Sequence, residues 1–68
     1  MKTLKFDGQE VAISDKELSQ DVFDIDFGGA MMVRFTKQED GTFKPTNAMD
    51  GWGDNCYQEI ADKEVVIE

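Results

Sequence analysis

Sixty-eight residues with fifteen acids, seven bases, one cysteine and no histidine make one small domain, spanning 1–68, with few routes to chemistry. A chain of this size hides only about 60% of its unfolded surface on folding. With one thiol and no imidazole it can form neither an internal disulfide nor the usual zinc site. A net charge of −8 excludes direct nucleic-acid binding, which needs basic patches.

The start, MKTLKFDGQEVAIS, reads as a β-hairpin. A two-residue Asp7-Gly8 turn of type I′ pairs Phe6 with Gln9, Leu4 with Val11 and Lys2 with Ile13 on one face. On the other face Lys5 meets Glu10, an opposite-charge pair. The next segment, ISDKEL, carries a capping box: Ser14 at N-cap, Glu17 at N3, with Ile13 and Leu18 as the flanking hydrophobic staple. The strand pattern resumes so soon that one or two helical turns are expected.

VFDIDFGGAMMVRF is a second hairpin. A Gly-Gly turn would set Asp24 beside Val33 and mix the two faces. An odd loop, Gly28-Gly29-Ala30, instead pairs Phe27 with Met31, Ile25 with Val33, Phe23 with Phe35 and Asp24 with Arg34. A slip of one residue would invert every side chain, so the odd loop or an equivalent bulge is required. TKQEDGTFKP then forms a third hairpin around Glu39-Asp40-Gly41, with Gly41 left-handed, Lys37 opposite Phe43 and Phe35 opposite Pro45. Pro45 cannot donate to a ladder, so its strand should lie at an edge or break there.

The stretch AMDGWGDNCYQE, residues 48–59, reads as the end of the strand meander and the beginning of an acidic segment. Beyond it, Asn55 and Gln58 resemble a capping box, yet a strand turning at Asp62-Lys63 fits equally well. EVVIE reads as a buried strand docking on the first hairpin. Together these elements predict a mainly β domain, with α+β content open. Five or six short antiparallel strands would form a curved sheet, a partly open barrel or a sandwich, with one or two short helical turns.

The charge is uneven. Residues 15–26 carry −4 and residues 50–68 carry −5, while the rest of the chain is +1. Asp24 and Asp26 lie two apart on one strand face, about 6.8 Å by strand geometry. Asp15, Glu17 and Asp21 lie just upstream. Carboxylate rows on a rigid sheet imitate the anionic oxygens of a phosphate backbone, which basic proteins neutralise with Lys and Arg. Solubility is the plain alternative reading of the same charge. Trp52, with Asp54 and Tyr57 near it, is either a contact residue on a glycine-bearing loop or a plug over a small core.

Other chemistry finds little support. Cys56 has no histidine to activate it and sits among acids. Asp24 and Asp26 lack the deep cleft that paired catalytic carboxylates need. Asp50, Asp54 and Asn55 do not have EF-hand spacing. No enzyme activity, cofactor or metal is therefore expected. The start lacks an apolar signal core, no run reaches membrane-spanning length and the cysteine is unpaired, which predicts a cytoplasmic protein without a membrane role.

The overall profile, tiny, acidic, histidine-free and mostly β, is similar to phage-encoded inhibitors of host defence nucleases and CRISPR complexes, by composition and without a shared motif. The expectation is a non-catalytic acidic module that binds a basic, nucleic-acid-binding protein as a nucleic-acid mimic. Asp15, Glu17, Asp21, Asp24, Asp26 and Asp54 would supply charge, with Trp52 and Tyr57 as anchors. The alternative is a structural or assembly module that homo-oligomerises through Met32 and the edge near Pro45.

Overall fold

The first hairpin takes the register that its turn dictates. In the structure, a computed structural model describing residues 1–28 and 31–68, β1 (Lys2–Phe6) and β2 (Gln9–Ile13) are joined by Asp7 and Gly8 alone. These two residues have φ of 52° and 77°, the left-handed pair of a type I′ turn, and Phe6 sits opposite Gln9. Lys5 reaches Glu10 at 3.5 Å on the outer face, as expected. It also reaches Glu68 at 3.2 Å.

α1 (Asp15–Leu18) is a single turn held by its cap. The Ser14 Oγ accepts from the Glu17 amide at 3.2 Å, and the Glu17 carboxylate accepts from the Ser14 amide at 3.5 Å. Two amides that a four-residue helix cannot satisfy internally are thereby paired.

β3 (Val22–Asp26) and β4 (Met31–Lys37) pair Phe23 with Phe35, Asp24 with Arg34 and Ile25 with Val33. The Phe27 amide donates to the Met31 carbonyl at 2.8 Å, so the register is the one an odd loop requires. Residues 29 and 30 of that loop lie outside the described residues. The third hairpin closes as expected, with Gly41 at φ 87° and Lys37 opposite Phe43.

β5 (Phe43–Asp50) runs on past Pro45. Of the two expectations at Pro45, an edge strand or a break, the edge holds: β5 is the outer strand of its sheet and the ladder continues to Met31 opposite Asp50. A bulge makes this possible. Pro45 faces Phe35 and Asn47 faces Arg34, leaving Thr46 as the extra residue. Its hydroxyl lies 2.8 Å from that of Thr36. The slip resets the alternation, so Phe43 and Pro45 point inward before it and Ala48 points inward after it. The edge position accommodates the missing proline amide.

The ambiguous segment resolves as helix. α2 (Tyr57–Ile60) is one turn, with Cys56 rather than Asn55 at its N-cap position. Asn55 Oδ1 accepts from the Tyr57 amide at 2.9 Å, an Asx turn in place of the expected capping box. β6 (Val65–Ile67) then pairs with β1, as expected of a strand docking on the first hairpin. Its burial was overestimated: Val65 and Ile67 are half-buried and Val66 is exposed, because this short outer strand is only partly covered.

The architecture is mainly β, two three-stranded antiparallel sheets ordered β2-β1-β6 and β3-β4-β5, not closed into a barrel. Their inner faces meet in one cluster of Leu4, Phe6, Ile13, Phe23, Ile25, Phe27, Val33, Phe35, Phe43 and Ala48, joined by Cys56 and Ile60. Phe6 stands edge-on to Phe35 at 5.3 Å between ring centroids, and Phe35 also touches Phe23 and Phe27. Among the described residues no helix is long and apolar enough to cross a membrane.

Phe35 is fully buried at the centre of these rings. Phe35→Ala should cost about 3–5 kcal/mol, comparable with the whole stability of a small domain. Urea denaturation followed by circular dichroism should then show no cooperative transition. A transition close to that of the parent chain would contradict this account of the core.

A second prediction concerns acid. Asp40 accepts from the Thr42 hydroxyl at 2.6 Å and the Thr42 amide at 3.0 Å, and these bonds hold its carboxyl below the ordinary value. A carboxyl with a lowered folded pKa stabilises the fold above its unfolded value and loses that contribution as pH falls through the folded one. Asp40→Asn should therefore be less stable than the parent at pH 7. The gap should narrow as pH drops below about 3.8, the unperturbed value. Urea midpoints at several pH values measure it, and a gap that is constant with pH would refute the assignment.

Candidate functional site

Cross-strand register determines which candidate residues are neighbours. On the outer face of the β3-β4-β5 sheet, Asp24 lies opposite Arg34 and Arg34 opposite Asn47. The adjacent row is Asp26, Met32 and Met49. Side chains on one face of neighbouring strands are in reach of one another.

Asp24 is a structural partner as much as a charge. Arg34 donates to it through Nε at 2.9 Å and Nη2 at 3.4 Å, and the carboxylate raises the guanidinium pKa. Asp26 is exposed at the other end of β3. A shallow groove of about 150 Å³ joins it to Met31, Met32, Met49 and Asp50. Met32 and Met49 are each 48% exposed, a large apolar pair on an open face flanked by carboxylates.

The loop beyond β5 settles the position of Trp52. The sequence left two readings, contact residue or core plug; the plug reading is wrong, because Trp52 is 91% exposed. Asp50 organises the loop. Its Oδ1 accepts from the amides of Trp52 at 2.9 Å and Asp54 at 3.0 Å. Its carbonyl accepts from Gly53, which has φ 85°. An isolated bridge between Met49 and Asn55 closes the base. A carboxylate that accepts two amides leaves the intervening side chain pointing outward on a defined backbone. Asp54, also exposed, completes the acidic rim.

The structure divides the remaining candidates. Asp15, Glu17 and Asp21 belong to the other end of the sheet, where the Asp21 carbonyl accepts from the Lys37 amide at 2.7 Å. From the Val22–Thr36 pair to the Asp26–Met32 pair is four residues, or about 13 Å at strand rise. Glu17 is half-buried and occupied by its cap. Tyr57 is half-buried and packs against the core. Pro45, the expected contact edge of the oligomer reading, is buried.

Met49 went unremarked in the sequence, and Asp50 was weighed only as a metal ligand, not as the organiser of its loop. Met49 becomes an outer-face residue only after the bulge shifts the alternation. Asp50 carried a readable signal, an Asp two residues before a Trp and four before another Asp, with Gly53 free to adopt a positive φ. Asp24 and Asp26 lie on an open sheet face, unlike the cleft that paired carboxylate chemistry requires. Among the described residues no group of three or more Asp, Glu, Cys or His could hold a metal ion.

Compared with protein-family models, curated proteins and solved structures, the chain matches none.

Cys56 is buried beneath the same loop, and desolvation raises its thiol pKa, helped by the charges of Glu59 and Asp50. Low thiolate content and burial both suppress alkylation. Iodoacetamide at pH 8 should modify the folded protein at least about tenfold more slowly than the urea-unfolded chain. Mass spectrometry follows the adduct, and equal rates would mean that the thiol is open to solvent.

Proposed function

We propose that the chain is a non-catalytic protein-binding module that inhibits a basic, nucleic-acid-binding protein by covering its nucleic-acid site. The contact surface is the end of the β3-β4-β5 sheet that bears Asp26, Met32, Met49, Asp50, Trp52 and Asp54. The observation that carries the reading is Trp52, an almost fully exposed indole on a loop fixed by Asp50 and flanked by acids. Exposed tryptophans at rigid positions are frequent energetic centres of interfaces. The methionine pair supplies adaptable apolar area beside it, and the carboxylates would steer a basic partner.

This reading narrows the mimicry idea. Arg34 neutralises Asp24, and Asp15, Glu17 and Asp21 are at the far end, so no long carboxylate ladder runs across the face. The surface is a compact acidic and apolar patch. A second reading, self-association, draws on the same half-exposed Met32 and Met49. Sedimentation at several concentrations separates the two, since a monomer throughout removes self-association.

The test is capture of basic proteins from a cell lysate on the immobilised chain, with elution by salt and competition by duplex DNA. Captured protein should elute as salt rises, because exposed charges are screened within about 8 Å at physiological ionic strength. DNA should displace the chain. Trp52→Ala should weaken binding by about thirtyfold, a hot-spot loss of about 2 kcal/mol. Partners that ignore salt, DNA and the Trp52 substitution would overturn the proposal.

A further inference from the structure

The opposite end of the molecule carries the acids of α1, but an apolar hollow there is lined by the other sign of charge. Where the two sheets part, between β6 and the start of β5, lies a groove of about 460 Å³. Its apolar lining is Leu18 from α1, Phe43 from β5, and Val65 and Ile67 from β6. Its charged lining is Lys2 and Lys37, and among the described residues no carboxylate lines it. In a chain with fifteen acids against seven bases, an apolar groove with cations alone runs against the overall field.

Each part of the groove follows from the fold. Leu4 faces Ile67 and Phe6 faces Val65 across the β1–β6 ladder, so both β6 side chains point to the inner face. The second sheet leaves them half-buried. Lys2 lies on the same face of β1 as Leu4, two residues away. The Lys37 ammonium sits 5.6 Å from the centroid of the Phe43 ring, which keeps the cation over the apolar lining. Among the described residues neither lysine has an ion-pair partner, as is also true of Lys16 and Lys44, whereas Lys5 has two and Arg34 and Lys63 have one each. The volume falls in the range of about 300–1,000 Å³ typical of small-molecule sites.

We infer that this groove binds a small amphipathic carboxylate, such as a medium-chain fatty acid. Its chain lies on Leu18, Phe43, Val65 and Ile67, and its headgroup pairs with the ammonium groups of Lys2 and Lys37. Charge complementarity selects the headgroup: a cation would meet like charge, and a neutral head would forgo two charge-assisted hydrogen bonds. The site shares no residue with the Trp52 surface, so the two proposals stand or fall separately.

The experiment is a titration of the ¹⁵N-labelled chain with decanoate below its micellar range, with decanol and decyltrimethylammonium as neutral and cationic comparators. Decanoate should bind saturably at one site and move the amide signals of Lys2, Leu18, Lys37, Phe43, Val65 and Ile67. Decanol should bind about tenfold more weakly, the loss expected when a charge-assisted contact is removed. Lys2→Gln and Lys37→Gln should each weaken decanoate by several-fold and leave decanol unchanged. Their spectra also show whether the fold is retained. Absence of saturation, shifts centred elsewhere, or equal affinity for all three amphiphiles would overturn the inference.

Discussion

The contact between Phe6 and Phe35 is what makes two sheets into one protein. Neither three-stranded sheet has a second apolar surface on which to fold alone, and each supplies one ring of an edge-to-face pair. Phe35 gathers Phe23 and Phe27 from its own sheet, and Phe23 in turn packs on Phe43 at 4.8 Å. The hairpin registers serve that contact. A slip of one residue in either β1 or β4 would turn its ring to solvent and abolish the edge-to-face pair between the sheets. The turn chemistry at Asp7-Gly8 and at Gly41 therefore acts at a distance, by fixing which residues face inward.

Much of this was legible because short-range rules and burial agreed. Asp7-Gly8 permits one register, and the alternation of Leu4, Phe6, Val11 and Ile13 agrees with it. In the second hairpin the loop alone is ambiguous, and matching Phe23 and Ile25 with Phe35 and Val33 decided the register. What escaped depended on a change of phase. In Phe43–Asp50 the inward residues are Phe43, Pro45 and Ala48, a spacing of two and then three. An alternation rule reads that as the end of a strand, although a bulge at Thr46 lets the strand continue. Met49 was missed with it. Trp52 was undetermined for another reason: an indole is equally suited to a core and to an interface, and hydrogen bonds of the Asp50 side chain decide the matter.

The distribution of charge also gained a geometry. Whether the two acidic segments share one surface was open in the sequence, and strand direction places α1 and the Trp52 loop at opposite ends of the same sheet. The near-neutral remainder of the chain holds Lys2, Lys37 and Lys44, and Lys2 and Lys37 line the groove between the parted sheets. Lys44 and Lys63 border a neighbouring hollow together with Asp62 and Glu64. Acids lie at both ends of the molecule, accompanied by methionines and an indole at one and by two lysines over an apolar groove at the other. An average charge conceals that arrangement.

The loop from Asp50 to Asp54 separates holding from display. Its shape is set by a carboxylate at position 50, a left-handed glycine at 53 and the bridge between Met49 and Asn55. Residue 52 contributes only its backbone amide to that scaffold. Position 52 is accordingly an interchangeable head on a fixed mount. A single codon change there alters what the surface offers to a partner without touching the residues that keep the domain folded. The surface at this loop can in this way change its chemistry while the fold stays fixed.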